Sequence, residues 1–316
     1  MRTPFQDRFR LLLSSSMINT IQTKAYRVKN DYLQDVIQYH SEALESNGFP
    51  FELIQTDLNE PVQENHHFFP TLTSPAVFHI MENNSGISGL DFPIIKNLTV
   101  LAPLQAIDPA LFLKCLKNYG SNFLVLMESY NNPGMELLKI LNPEKTFYCQ
   151  QKLLCYLDAP NNSQGKVPDG ISIRNFIPGK DEGQYAAFYN KVLGFLGSMV
   201  DKAFVDAIVA RSSFDSRGYF IAESNEGIVG FLSIEKEPWG NAGSRFGYIY
   251  QIGVADSLKS SGLAEALLVK AYEFAIEKNI NRIGVGVRKS NLPAISFFSR
   301  CGFRTAYEVN GYHLKI

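Results

Sequence analysis

The feature that most constrains the fold of this chain is a buried strand that leads through a short glycine turn into an amphipathic helix. The strand ends at Val254, the turn holds residues 259–262, and the helix continues to Lys278. Apolar side chains recur along the helix at steps of three and four, which is typical of a helix that packs one face against a sheet. This junction predicts a layered α/β fold.

The glycine turn has the properties of an anion-binding site. Backbone N–H groups at a helix start have no intrahelical partners, and the helix dipole adds partial positive charge there. Gly262 allows the backbone to approach a ligand closely, and Lys259 adds a full positive charge. The arrangement suits a diphosphate. Because neither GxxxxGK[ST] nor GxGxxG is present, a P-loop and a dinucleotide-binding turn are excluded.

The second half of the chain has the predicted order β-α-β-β-β-α-β-α-β. Asn291 and Pro293 mark the start of its last helix, and Gly302 marks the end. The predicted strands are 171–176, 218–223, 228–235, 247–254, 282–287 and one or two within 303–316, and the helical stretches are 181–210, 262–278 and 291–302.

Two signatures on these elements resemble the GNAT superfamily of acetyl-CoA-dependent N-acetyltransferases. The first, a strand ending in Val and then (Gln/Arg)-x-x-Gly-x-(Gly/Ala), stands here as Val254 and Lys259-Ser-Ser-Gly262-Leu-Ala264. The second is an Asn, a short helix and a terminal Gly-Phe, here Asn291, Ala294-Ile-Ser-Phe-Phe298 and Gly302-Phe303.

The resemblance covers residues 171–316 and implies a GNAT-like acyl-CoA N-acyltransferase fold, of α/β class with a mixed sheet. It implies acetyl-CoA as co-substrate, with the pantetheine arm on backbone groups around Val254 and on Asn291, and the pyrophosphate on the amides of 259–264. The cofactor-binding residues that it implies are Ile252, Val254, Lys259, Ser260, Ser261, Gly262, Leu263, Ala264, Asn291 and Phe298.

Two positions depart from the family pattern. Lys259 replaces the usual Gln or Arg, which keeps a positive charge but loses the planar fork of Arg. Phe298 stands where many members have the Tyr that protonates the leaving thiolate, so the usual general acid is missing.

Tyr248 and Tyr250 are the candidate catalytic residues, because their spacing puts both on one face of the strand before Val254. Packing is the alternative role for this pair. Glu235, which most simply is an exposed strand residue, and Tyr312 and His313 are further candidates. Acetyl transfer from a thioester needs only modest acid-base help when the amine is well oriented.

The first half of the chain, residues 1–157, has a β-α-β-α-β order in its later part, at 97–104, 108–119, 122–128, 133–141 and 147–157. That order predicts a second α/β domain in tandem, a degenerate GNAT-like copy, because the segment 100–108 has no glycine at the corresponding turn. Residues 158–170 are rich in Pro, Gly, Asn and Ser, which predicts a linker before a catalytic domain at 171–316.

Charge and cysteine usage exclude several classes of partner. Thirty basic residues against thirty-one acidic ones give no overall attraction to nucleic acid or an anionic membrane. No apolar run reaches the roughly 18 residues that span a bilayer. The four cysteines lack CxxC spacing, and His66-His67 lacks nearby ligands, so we expect a reducing, cytoplasmic location and no metal.

The sequence therefore predicts an acetyl-CoA-dependent N-acetyltransferase that acts on a primary amine of a small molecule or peptide by direct attack in a ternary complex. A non-catalytic acyl-CoA-binding regulator or scaffold is the alternative, which Phe298 favours. The sequence leaves open the acceptor and the oligomeric state.

Overall fold

The computed structural model describes residues 26–27, 66–69, 76–81, 94–100, 109–117, 120–129, 131–156, 165–194, 199–211, 214–236 and 245–316. The strands are β1 Tyr26–Arg27, β2 His66–Phe69, β3 Ala76–Met81, β4 Ile94–Val100, β5 Asn122–Glu128, β6 Glu144–Tyr156, β7 Ser172–Asn175, β8 Tyr219–Ser224, β9 Gly227–Lys236, β10 Phe246–Val254, β11 Arg282–Arg288 and β12 Arg304–Lys315. The helices are α1 Pro109–Leu116, α2 Asn132–Leu141, α3 Glu182–Leu193, α4 Lys202–Val209, α5 Leu263–Glu277 and α6 Leu292–Arg300.

These residues form two compact units, the first made of the described residues up to Cys149 together with 307–316, and the second of 150–306. In the first unit the strand order is β1-β2-β3-β4-β5-β12. The pairing of β4 with β5 is parallel, while β1 to β4 are antiparallel neighbours. The mixed α/β class that the sequence predicts is confirmed.

The second unit has the strand order β6-β11-β10-β9-β8-β7. Only β10 and β11 pair in parallel there, and the other neighbours are antiparallel. Apolar side chains fill both faces of this sheet. One face packs on α5 and α6 through a core that includes Leu232, Ile249, Leu267 and Phe298, and the other packs on α3 and α4 through Tyr185, Phe188, Val205 and Phe231.

The single helical stretch expected over 181–210 is wrong, because the structure has two helices there. The second helix, α4, starts at its own N-cap, where the Asp201 carboxylate accepts a hydrogen bond from the Phe204 N–H at 2.8 Å. The Asn190 side chain binds both the N–H and the C=O of Val200, at 2.8 and 2.7 Å. These contacts hold Val200 on α3 and start α4 after Asp201, although the apolar spacing of the sequence does not mark this break.

The start of α3 is fixed by a partly buried ion pair. The Arg174 guanidinium donates to both oxygens of Asp181, at 2.6 and 3.0 Å, and to Glu223 at 2.8 Å. Burial alone would raise the pKa of Asp181, but the hydrogen bonds from Arg174 and from the Ile177 N–H outweigh it and lower that pKa. The Asp181 carboxylate is therefore ionised at neutral pH and holds β7, β8 and α3 together.

Residues 303–316 form one strand, which pairs with a strand of the first half of the chain. Strand β12 runs antiparallel to β5, with Val309 opposite Glu128 and Lys315 opposite Asn122. Leu314 is 1% exposed and packs in the core of the first unit, with Phe123, Val125 and Met127. In the other direction, residues 150–156 of β6 pair with all of β11 in the second unit. The first unit therefore includes most of β12, which comes after the predicted linker at 158–170 in the sequence. The second unit includes residues 150–156, which come before it.

The end of α6 matches the prediction that Gly302 terminates it. Gly302 has φ 89°, its N–H donates to Ser299 C=O, and the Phe303 N–H donates to Phe298 C=O at 3.0 Å. This is a Schellman motif, in which the two residues at its ends often make an apolar contact. Here the rings of Phe298 and Phe303 lie 5.0 Å apart. The terminal Gly-Phe is thus explained by helix termination and packing.

Within the part of the chain that the structure describes, no helix has the length and apolar character needed to cross a membrane.

Replacing Leu314 by Ala should destabilise the first unit by about 2–5 kcal/mol, because it removes a fully buried side chain from a packed core. Hydrogen exchange followed by mass spectrometry should show faster exchange in 122–128 and little change in 246–254. Lys315→Ala, at the neighbouring exposed position, is the matched control. Faster exchange confined to 246–254 would contradict the pairing of β12 with β5.

Candidate active site

Two parallel strands of the second unit separate at their carboxyl ends. Strands β10 and β11 pair from Phe246 and Arg282 as far as Ile249 and Val285, and their pairing ends there. Beyond that point β10 stays on β9 as far as Val254, while β11 stays on β6 as far as Arg288. Backbone groups on the facing edges of the separated strands therefore need other partners, which an extended molecule with amide groups can supply.

A β-bulge lies where the separation begins. The register between β10 and β9 shifts between Ile249 and Gln251, so that Tyr250 has no Cα partner on β9. A bulge adds one residue to a strand, bends it and increases its twist. The bend directs the end of β10 away from β11 and towards the start of α5.

The predicted anion-binding turn lies directly after β10. A 3₁₀ turn over Asp256–Leu258 is followed by left-handed backbone at Ser260 (φ 62°) and Gly262 (φ 89°). The Ser261 hydroxyl donates to Leu258 C=O at 2.7 Å and accepts from the Leu263 N–H at 3.4 Å. The N–H groups of Ala264 and Glu265, in the first turn of a 15-residue helix, have no intrahelical acceptor.

Lys259 is paired with a carboxylate of the same turn. Its ammonium lies 2.7 Å from Asp256, and both side chains are highly exposed. This contact lowers the pKa of Asp256. Lys259 is therefore at the predicted position, but part of its charge is directed to Asp256.

The remaining predicted cofactor-binding residues offer mainly backbone. Ile252 and Val254 are partly buried against the α5 core, and Leu263 is fully buried. The Asn291 side-chain oxygen caps α6 by accepting from the Ala294 N–H at 3.3 Å. Phe298 is 1% exposed. A ring so deeply buried presents almost no surface to a ligand, so Phe298 is the least supported member of the predicted set.

The two candidate catalytic tyrosines lie together on the α3 and α4 face of the sheet. The rings of Tyr248 and Tyr250 are 5.1 Å apart in an edge-to-face arrangement. Tyr250 is 47% exposed and Tyr248 is half-buried. Tyr248 is paired across the strands with Glu235, whose side chain must therefore point to the same face.

Glu235 is half-buried, so the expectation that it is an exposed strand residue is wrong. Its carboxylate accepts a hydrogen bond from the Tyr219 hydroxyl. Burial, together with the charge of Glu235, strongly raises the pKa of Tyr219. Tyr219 is therefore a neutral donor that holds the Glu235 carboxylate in place.

A second hydrogen-bonded group lies beside this pair. The buried Tyr185 hydroxyl donates to the Gln251 side-chain oxygen at 2.6 Å. Burial raises the pKa of Tyr185, and a hydrogen bond with Ser233, itself 2% exposed, opposes that rise. These residues give the sheet face next to the bulge a polar lining in a mostly aromatic layer.

Sequence patterns did not identify Tyr185, Tyr219, Ser233 or Gln251 as site residues. The available signal was the Ser-x-Glu spacing within the apolar strand β9, which puts two polar side chains on one face. Tyr312 and His313 lie on β12 in the first unit, where the His313 ring contacts Asn122 at 3.2 Å.

No group of metal-ligating side chains is found among the described residues.

The chemistry that this site supports follows from its parts. The separated strands suit an extended amide-containing ligand, and the turn before α5 suits phosphate groups. The Glu235 carboxylate, next to the tyrosines, can accept a proton. In the first half of the chain, the segment without glycine that was predicted to correspond to this turn lies at 100–108. Its residues 101–108 lie outside the described residues.

Comparison with known proteins agrees with this geometry. Residues 185–303 match the sequence model of the acetyltransferase (GNAT) family. A mycothiol acetyltransferase from Saccharomonospora viridis is 28% identical over 146 residues, which cover 44% of this chain and 48% of that protein. One from an Arthrobacter species is 29% identical over 141 residues, 43% of each chain. The chain thus matches less than half the length of these curated relatives.

Solved structures resemble a larger part of the chain. A GCN5-related N-acetyltransferase from Sphaerobacter thermophilus has a TM-score of 0.67 at 13% identity, covering 92% of this chain and 95% of that one. A tandem GNAT protein from the clavulanic acid biosynthesis pathway has a TM-score of 0.60 at 12% identity, covering 92% and 97%. At such identities these likenesses show the fold alone, which is that of GNAT proteins, including a tandem one.

The sequence match and the fold agree with each other: residues 185–303 carry a domain that matches the acetyltransferase (GNAT) family, within a fold that solved GNAT proteins share.

Proposed function

We propose that the second unit transfers an acetyl group from acetyl-CoA to a primary amine of a small molecule or peptide, by direct attack in a ternary complex. Acetyl-CoA supplies an activated thioester when bound. The amine nitrogen forms a bond to the carbonyl carbon, the carbon–sulfur bond breaks, and the CoA thiolate leaves and takes up a proton.

One observation carries the proposal: strand β10 both separates from β11 and leads directly into the turn at the start of α5. A single continuous segment thereby offers amide-pairing backbone and then phosphate-binding N–H groups. A pantetheine arm ends in a diphosphate, so its chemistry matches that order along the chain. The residues present therefore fit CoA.

Glu235 is the proposed general base. A primary amine is mostly protonated at neutral pH and must lose a proton before or during attack. The Glu235 carboxylate is held by Tyr219 and lies on the face that carries Tyr248 and Tyr250. Its negative charge also favours a cationic acceptor at this face.

Tyr248 and Tyr250 are the proposed sources of the proton for the departing thiolate. Phe298 has no exchangeable proton and lies in the core, so it cannot take that role. Tyr250 is the more exposed of the two tyrosines, and its position at the bulge puts it where the strands separate. Orientation of the amine against the thioester then supplies most of the rate acceleration.

The proposal extends to the rest of the chain. By sequence division, residues 171–316 would be the catalytic domain after a linker at 158–170, and 1–157 a copy that does not bind CoA, while strand pairing joins 150–156 to the catalytic unit and 307–316 to the other. The curated relatives are named mycothiol acetyltransferases, and we propose that the acceptor of this chain is likewise a small molecule, one with a primary amine. A cytoplasmic location, supported by four cysteines without CxxC spacing, completes the proposal.

Ser261→Asp should abolish acetyl-CoA binding without harming the fold. A carboxylate there opposes the diphosphate, but it favours the N-terminus of α5 by about 0.3–1 kcal/mol. Substitution of Gly262 is less informative because its φ of 89° strains any side chain. Thermal shift with acetyl-CoA is the measurement, and at 100 times Kd the wild type should gain about 2.7 kcal/mol.

The matched control is Ser261→Asn, a neutral side chain of the same size as Asp, which should keep most of the ligand-induced shift. Melting without ligand checks the fold of both variants. Equal shifts for wild type and Ser261→Asp would rule out the turn as the diphosphate site. No shift in the wild type with acetyl-CoA or CoA would remove the basis of the whole proposal.

Glu235→Gln should lower kcat/KM by about 10²–10⁴ at neutral pH, because it removes the base while keeping the shape of the side chain. The assay is CoA release with the first amine of a panel that the wild type acetylates. The Kd for acetyl-CoA should stay the same. Tyr219→Phe, which removes only the hydrogen bond to Glu235, should cause a smaller loss.

Unchanged kcat/KM in Glu235→Gln would exclude Glu235 as the base. Binding of acetyl-CoA without release of CoA for any amine would instead support the non-catalytic alternative, an acyl-CoA-binding regulator or scaffold.

A further inference from the structure

We propose that the segment Gly165–Lys166, which precedes β7, is part of the phosphate site, and that the Lys166 ammonium binds the diphosphate of CoA. This inference rests on the proposed use of CoA and adds to it a binding residue outside both sequence signatures. Lys166 lies almost a hundred residues before the glycine turn in the sequence.

The first observation is the contact of Gly165 with the start of α5. A Cβ atom added at Gly165 would lie 2.0 Å from the Ala266 nitrogen and 2.4 Å from the Ala266 Cα. Backbone therefore lies directly on the backbone of the helix's first turn, at a distance that only glycine permits. The segment is fixed in position at this point, next to the N–H groups that have no intrahelical acceptor.

The second observation is the contact of Lys166 with the glycine turn itself. A Cβ atom added at Gly262 would lie 3.2 Å from the Lys166 carbonyl oxygen and 3.6 Å from its nitrogen. The sequence suggested that Gly262 gives room to a ligand, and the structure shows that the Lys166 backbone occupies part of this room. The Lys166 Cα therefore belongs to the wall of the turn.

The third observation is the charge balance at the turn. Lys259 is paired with Asp256, and Lys191 also acts on the Asp256 carboxylate and lowers its pKa. Glu265 adds a second negative charge in the first turn of α5. These four charges cancel, so a diphosphate gains little from them beyond the helix dipole. Lys166 supplies the additional positive charge, and it has no ion-pair partner among the described residues.

The chemistry of Lys suits this role. An ammonium group on a flexible four-carbon stem binds phosphate as a point charge and can follow its oxygens from a fixed Cα. Since Lys166 is exposed, the ammonium can reach the ligand without loss of a buried contact.

Calorimetric titration of the whole chain with acetyl-CoA tests the proposal. Lys166→Ala should weaken binding about tenfold, the usual effect of losing one charge-assisted hydrogen bond, and Lys166→Arg should restore it to within about threefold. Gly165→Ala, which must lift the segment off α5, should weaken binding to a similar extent. Lys270→Ala, on α5 but beyond its first turn, is the matched control and should not change the Kd.

Titration with 3′-dephospho-acetyl-CoA identifies which phosphate is bound. The same tenfold loss in Lys166→Ala is expected, because the diphosphate is still present, and the loss should diminish at high salt. A loss that disappears with the dephospho ligand would assign Lys166 to the 3′-phosphate and overturn the proposal. Melting without ligand should be equal for wild type, Lys166→Ala and Lys270→Ala.

The outcomes separate this inference from the proposed function. If the wild type binds acetyl-CoA and Lys166→Ala binds equally well, the inference is wrong and the function stands. If Lys166→Ala or Gly165→Ala binds more tightly, the segment competes with the ligand, which also overturns the inference. If the wild type does not bind, both are overturned.

Discussion

The departure of β10 from β11 is the constraint on which the second unit depends. One glycine on each strand allows close packing near it. A Cβ at Gly253 would lie 3.0 Å from Val192 of α3, and one at Gly284 would lie 2.7 Å from the Phe246 ring. The Phe246 ring can therefore pack closely on β11 just before the strands separate, and helix α3 can pack closely on β10 beyond that point. The bulge at Tyr250 then bends β10 towards α5.

Elements with strong periodicity were predictable from the sequence, and their long-range pairing was not. The boundaries of α5 follow from apolar spacing, and the end of α6 follows from Gly302, because both signals act within a few residues. The break between α3 and α4 depends on Asp201 and Asn190, whose hydrogen bonds do not alter the apolar spacing. The pairing of β12 with β5 depends on which edges are free, which local patterns do not encode.

The same distinction applies to the candidate site. The turn at 259–264 could be predicted because its function requires a specific order of residues next to each other in the chain. The polar group on the other face of the sheet consists of Tyr185, Tyr219, Glu235 and Gln251, which come from α3, β8, β9 and β10. Each is unremarkable in its own segment. Only the strand register and the bulge bring them together. Sequence patterns therefore predicted an exposed side chain for Glu235, which is in fact half-buried and bound to Tyr219.

The exchange of strands between the two halves of the sequence also sets the order in which the units can complete their folding during synthesis. Most of the first unit is synthesised before the second, but β5 receives its second neighbour, β12, only when residues 309–315 have been made, almost two hundred residues later. Until then β5 has an unpaired edge, and exposed strand edges are the sites where chains associate wrongly. Such distant pairing also slows folding. The half of the chain that is synthesised first is therefore the half that is completed last.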